Sequence, residues 1–439
     1  MYSTTIETWE LLLSPIYFGF AALLCLVYPK GEDRTHFTIG LTARIGGGIM
    51  YGLIYLFYYG GGDTTAYFNT AIPFLNLIVQ DPLLGIQLFF DAYSIENYSV
   101  FTESTGFPYR YIYADISTFT VSRIITPFLL FGLKSYFLTT ILFSTITYLG
   151  TWKLYVLFKR LAPSSVNLAL FSALLFPSVL FWGSGISKDT ITYTSLAYVV
   201  YAFYFTFIVK EVKIWRIVIA VAGALLILLI KPYIFLILFP GALVWVFHDR
   251  IQKIRYRFVR AAIVPLTALI TALIFGITFS NLSPILGDYS AENILQKALI
   301  TQDDLKRDYY GGNTFDIGEI DPTIVGVLSK FPIATFYGFF GPTLLDVNNP
   351  VMLFSALENT FLLFLTIAVF AFRSPLETIR KLMSNPFFSF CLLFCLFLGF
   401  AIGFTTPNYG ALVRFKIPLV PFYCFMLLTI FYRKPVGYS

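Results

Sequence analysis

The sequence predicts an all-α protein, a polytopic bundle of membrane-crossing helices, on three observations. Hydrophobic residues make up 57% of the 439 and charged residues only 12%, against roughly 25% charged in a soluble domain. Apolar runs of about 20 residues recur along nearly the whole chain, each long enough to cross a hydrocarbon core of about 30 Å. Aromatics reach 19%, with Tyr and Trp often at run ends, where amphipathic rings sit at the headgroup level. A single integral membrane domain over 1–439 follows.

In chain order, spans are expected near 10–28, 39–59, 136–158, 164–182, 190–209, 214–230, 232–248, 261–280, 351–372, 387–404 and 412–432, about eleven crossings. The start Met-Tyr-Ser-Thr-Thr-Ile-Glu lacks the basic run and small-residue cleavage site of a secretory signal, so the first span is expected to be retained. Connectors carrying Lys30 with Arg34, Lys159 with Arg160, Lys210 with Lys213 and Arg216, and Arg250 to Arg260 mark the cytoplasmic side. Arg373 with Arg380 and Lys381, then Arg433 with Lys434, continue the series. This puts the N-terminus outside, the C-terminus inside, and two long connections, about 60–120 and 281–349, outside as a surface cap with amphipathic stretches. The alternation holds only if 121–134 does not cross, so that segment is expected to be an interfacial or re-entrant helix.

The net charge of +6 comes from short clusters rather than a continuous basic face, which argues against a nucleic-acid partner. Cys25, Cys391, Cys395 and Cys424 lie inside apolar runs and behave as small hydrophobes. The only histidines, His36 and His248, fall near the expected cytoplasmic face, so neither a metal cluster nor an outer Ser-His-Asp triad is expected. No cofactor is identified; outer aspartates suit a divalent cation, but no spacing specifies one.

Residues able to do chemistry gather on the outer side. Asp63 follows Gly60-Gly61-Gly62 and precedes Tyr67; a carboxylate there suits a general base that deprotonates an acceptor hydroxyl, or simply a helix start. Gly183-Ser184-Gly185-Ile186-Ser187-Lys188-Asp189 joins two spans, and Lys188 suits a phosphate, with an ordinary Lys-Asp anchor as the alternative. Lys231, at a tight outer hairpin, departs from the topology bias and faces either a lipid phosphate or headgroups by snorkelling. Glu358, beside Asn359, lies about 12 Å inside its run at 1.5 Å per residue, a depth where a carboxylate is functional or paired. Asn408 and Arg414 enter the last run from outside; Arg414 suits a phosphate oxygen pair or neutralises Glu358. Arg110 stands in the aromatic stretch 107–113, where Arg and Tyr suit sugar, phosphate or the interface, and the mixed run around Asp303 to Asp308 reads as a solvated face.

With that layout, the chain resembles the GT-C superfamily of membrane glycosyltransferases, which includes polyprenyl-phosphate-sugar-dependent enzymes. Asp63 fits the position of that family's catalytic base, and Lys188, Lys231 and Arg414 its need to hold a lipid phosphate. Two spans precede Asp63 here, whereas the family usually places its acidic loop after the first. The layout is also similar to bacterial polysaccharide polymerases and ligases acting on polyprenyl-diphosphate-linked glycans. The resemblance implies a transferase at the outer face of the bacterial cytoplasmic membrane. Its partners would be a lipid-linked sugar donor, a glycan, lipid or protein acceptor, and membrane lipids. A lipid or solute transporter is the rival from another class.

Overall fold

The computed structural model describes residues 6–29, 31, 33–256, 266, 300, 304, 313–321 and 324–432. The expected span at 261–280 apart from residue 266, much of the first part of the connection after it and the Arg433-Lys434 pair lie outside the described residues. What is described is helical, with one isolated β-bridge between Thr314 and Asn408. Among the described residues, seven helices are long and apolar enough to cross a membrane, or eight if one bent pair counts as a single span. The chain divides into two compact units.

The first unit comprises Met1–Leu157, Ala173–Thr206 and Val212–Lys231. Its principal helices are α1 (Thr8–Val27), α2 (Asp33–Leu53), α3 (Asp63–Gln80), α4 (Ile116–Phe131), α5 (Tyr136–Leu161), α6 (Pro177–Trp182), α7 (Lys188–Phe203) and α8 (Ile214–Ile230). Helices α2 and α7 each run on through a π-helical turn, to Tyr58 and Ile208. The expected run 164–182 is broken at Phe176-Pro177, because proline has no N–H to continue the ladder and disfavours helical geometry at the residue before it.

Helix α4, 16 residues long, holds residues 121–131 of the segment expected not to cross. At 1.5 Å per residue it rises about 24 Å, short of a 30 Å core. It is not a loose surface helix: Val121, Ile125 and Leu129 pack on Phe68, Ile72 and Leu75 of α3 in one buried cluster. Arg123 donates to the carbonyls of Phe89 at 2.6 Å and Asp91 at 2.8 Å, which ties down the chain after α3. Three hydroxyls of α5 are satisfied within the helix, Thr140, Thr145 and Thr147 each donating to the carbonyl four residues back at 2.7 Å, which is one way an apolar span carries Thr. Helix α2 meets α6 almost backbone to backbone: a Cβ on Gly47 would stand 2.2 Å from the Leu180 carbonyl oxygen, so only glycine fits.

The second unit comprises Phe158–Ser172, Phe207–Glu211 and Pro232–Ser439. Its principal described helices are α9 (Pro232–Gln252), α10 (Phe331–Phe340), α11 (Pro350–Phe372), α12 (Pro375–Ser384), α13 (Pro386–Thr405), α14 (Tyr409–Phe415) and α15 (Val420–Phe431). The last two are bent by 67° and make the pair that counts as one span. The core is aromatic: Phe158 stacks on Phe425 at 4.2 Å, and Trp245 of α9 packs on Phe387 and Phe390 of α13. Buried Phe and Trp each remove a large apolar area from the surroundings, and edge or offset contacts add to that.

Candidate functional site

Of the expected site residues, Asp63, Tyr67, Arg110, Lys188 and Lys231 belong to the first unit, and Glu358, Asn408 and Arg414 to the second.

The glycine run works as its sequence suggests. Gly60, Gly61 and Gly62 take φ of +69°, +129° and +143°, a left-handed path closed to residues with a Cβ at this cost. Thr65 closes the turn, its Oγ1 accepting from Gly62 N at 3.1 Å and donating to Gly62 O at 2.9 Å. Asp63 is thereby the first residue of α3 and exposed, where the amino end of the helix favours an anion. The next residue fixes the depth of this start, Thr64 Oγ1 lying 2.7 Å from the buried Tyr136 hydroxyl of α5. Tyr67 is 2% exposed and belongs to the core between α3 and α4, and its carbonyl accepts from Ser122 Oγ at 3.1 Å.

Lys188 opens α7. Ser187 caps the helix, its Oγ accepting from Thr190 N at 3.1 Å, and Thr190 Oγ1 donates back to Gly185 O at 2.6 Å. The Lys188 ammonium donates to Ser117 Oγ at 2.8 Å and stands 3.7 Å from Asp115, with side chains 20% and 52% exposed. The charges acting on it are, in descending order, Asp115, Lys231, Asp63 and Asp189, so Asp63, Lys188 and Lys231 share one electrostatic neighbourhood. Asp115 is the N-cap of α4 and accepts from the backbone N–H of Ser117 and Thr118 at 3.3 and 3.1 Å. Burial pushes its carboxyl up, but Lys188 and the hydrogen bonds from Ser117 and Thr118 outweigh this and hold it below the usual carboxylate range.

Lys231 has a different setting. It is the residue after α8, and its ammonium meets Asp189 at 2.5 Å, with side chains only 6% and 2% exposed. A pair so buried holds two helix ends together. Arg110 is exposed and lies over the Tyr98 ring at 4.6 Å, five residues before Asp115.

In the second unit the buried cation is Lys416, at the bend between α14 and α15. It donates to Gly341 O at 3.0 Å and to Asn359 Oδ1, and the Glu358 charge acts on it. Asn359 in turn donates to Pro342 O at 2.8 Å. Asn408 caps α14, accepting from Ala411 N at 3.1 Å, and Arg414 is half-buried in the last turn of that helix. Outside the spans, burial pushes the Asp346 carboxyl up, but hydrogen bonds from Thr343 and Tyr409 bring it below the ordinary range.

Four residues outside the expected set thus matter: Asp115, Asp189, Lys416 and Arg44. The signal for Asp115 was its place before Ile116-Ser117-Thr118, an N-cap pattern. Arg44 of α2 is 2% exposed, 6.0 Å from the Tyr193 ring, with Nε and one Nη making no hydrogen bond. Among the described residues, no group of three or more His, Cys, Asp or Glu is placed to hold a metal ion. Comparison with family models, with curated proteins and with solved structures finds no match for this chain.

Proposed function

We propose that the protein transfers a sugar from a polyprenyl-phosphate-linked donor to a hydroxyl acceptor at the outer face of a bacterial cytoplasmic membrane. One observation carries this: a partly exposed ammonium, Lys188, at the start of an apolar span, with the exposed carboxylates Asp63 and Asp115 acting on it. A lipid phosphate sits at the level where apolar spans end, so a lysine at a span's first residue is within its reach. In this scheme Asp63 takes the proton of the acceptor hydroxyl as its oxygen bonds to the anomeric carbon. The bond from that carbon to the phosphate oxygen breaks, and Lys188 stabilises the charge left on the phosphate. Lys231 and Asp189 hold the start of α7 in place, while Arg110 and Asp115 line the approach. These steps use residues of the first unit only. In this scheme the N-terminus is outside and the C-terminus cytoplasmic, and the broken run 164–182 and α8 are further crossings, with the expected span 261–280 needed for the count of eleven.

The test is Asp63→Asn in a deletion background, with lipid-linked glycans extracted and compared. Accumulation of unused donor is expected. Wild-type glycan at normal expression sinks the proposal, and accumulation of a polyprenyl-diphosphate glycan in its place turns it towards a polymerase or ligase. A second proposal, solute transport coupled to an ion, rests on the buried Lys416–Asn359 pair and the half-buried Glu358 whose charge acts on Lys416. It predicts uptake lost in Glu358→Gln with the glycan profile unchanged.

A further inference from the structure

The first unit buries a charge that no described residue neutralises. Arg44 belongs to a helix, Asp33–Tyr58, long and apolar enough to cross the membrane, and stands about 16 Å from one end of it and about 21 Å from the other at 1.5 Å per residue. At that depth, and only 2% exposed, its guanidinium does not snorkel to a headgroup layer. Nε and Nη2 make no hydrogen bond. The ionisable groups acting on it among the described residues are Tyr193 and Tyr148, phenols rather than carboxylates. Tyr148 donates its own proton to Phe37 O at 2.9 Å and Tyr193 to Ala173 O at 3.2 Å, so both are committed elsewhere. A guanidinium stays protonated at any ordinary pH, and one held inside a span without a counter-charge is costly.

A second orphan shares its surroundings. Ser184 is 0% exposed and its Oγ has no hydrogen-bond partner, while its carbonyl accepts from Ser144 Oγ at 2.9 Å. Two glycines fix where these groups stand. A Cβ on Gly183 would lie 3.3 Å from Arg44 Nη1, and one on Gly47 would lie 3.3 Å from Ser184 Oγ. Gly47 is three residues after Arg44 and therefore on the same side of α2. The guanidinium and the hydroxyl both belong to the joint between α2 and the turn from α6 to α7. Polar groups buried this deeply are ordinarily bonded, and donors that converge without a protein acceptor are the makings of an anion site.

We propose that Arg44 and Ser184 bind a monatomic anion of the size of chloride in the joint between α2, α6 and α7. Arg44 Nε and Nη2 and the Ser184 hydroxyl donate to the ion, and the Tyr193 ring, 6.0 Å from the guanidinium carbon, closes one side. A phosphate or carboxylate brings further oxygens that this joint has no donors to satisfy, so a halide is the occupant. Ser184 stands four residues before Lys188, and the bound ion pins the turn that leads into α7.

The full chain is purified in neutral detergent, dialysed into sodium gluconate, and melted at constant ionic strength while chloride replaces gluconate. The wild type is expected to gain about 3 °C along a saturating curve by the time chloride reaches about a hundred times its dissociation constant. Bromide should act in the same way and sulfate should not. Equilibrium dialysis against radioactive chloride should count one ion per chain. Arg44→Met keeps an apolar stem and should lose both the gain and the bound ion. Should Arg44→Met fail to fold, Ser184→Ala serves in its place: its curve should still saturate, at about tenfold higher chloride, the worth of one hydrogen bond to a charged group. A wild type that binds no chloride and melts at one temperature in every anion overturns the site, as does a chloride response in Arg44→Met or Ser184→Ala equal to that of the wild type. Equal stabilisation by sulfate overturns the halide assignment.

Discussion

Lys188 and Asp189 are neighbours at the start of one helix, yet they enter ion pairs of opposite kinds. Lys188 meets Asp115 at 3.7 Å with both side chains partly exposed, while Asp189 meets Lys231 at 2.5 Å with both nearly inaccessible. A helix turns about 100° per residue, so consecutive side chains face different surroundings. Burial then decides what each pair is for. The closed pair has traded its hydration for a fixed partner and holds α7 against the end of α8. The open pair keeps water and is free to exchange its partner for a substrate group. The Lys416–Asn359 contact in the second unit is of the closed kind, with both residues 1% exposed.

The largest effects are expected from the closed groups. Lys231→Met leaves the Asp189 carboxylate buried without its cation and should lower unfolding stability by about 3–5 kcal/mol, followed by thermal unfolding in detergent. The double variant Lys231→Met/Asp189→Leu should regain most of that loss; if it does not, the pair is doing more than joining helices. Lys416→Met should destabilise by a similar amount, again about 3–5 kcal/mol, and Asn359→Leu in that background should recover part of it. Lys188→Ala breaks the open pair and should change stability by less than about 1 kcal/mol, while slowing sugar transfer by at least about 100-fold. A stability loss as large as that of Lys231→Met would erase the distinction between the two pairs.

The smallest effect concerns pH. The folded state holds the Asp115 carboxyl below its usual range, so its contribution to stability is present above the unfolded pKa and lost as pH falls through the folded one. With its side chain 52% exposed, solvent screening keeps this contribution small. Asp115→Asn should therefore be slightly less stable than wild type at neutral pH, and the two melting curves should converge below about pH 4. A gap that persists in acid would show that the Asp115 charge is not what separates the two proteins.

Spans were the most legible part of this chain, because length and apolarity are local quantities. Residues 10–28 and 387–404 map closely onto α1 and α13. The run 412–432 was legible as apolar but not as bent, since the bend is set where Lys416 reaches Gly341 O, 75 residues away. The glycine turn before Asp63 and the cap before Lys188 were readable for the same local reason. Partners were not: Lys188 finds Ser117 across 71 residues and Lys231 finds Asp189 across 42. Nothing in the spacing of Lys231 says that its ammonium is committed to a neighbouring helix rather than to a lipid. Tyr67 is near Asp63 in the sequence, but the helical period turns it into the α3–α4 core.

The central claim is that chemistry happens at the open cluster, and Asp63→Asn tests it most directly. The reconstituted variant is assayed for transfer of labelled sugar from a polyprenyl-phosphate donor, with its melting temperature measured alongside. The account predicts an unchanged melting temperature and a rate reduced by about 100- to 10,000-fold, the worth of a general base. A variant that folds normally and transfers sugar at the wild-type rate would contradict it.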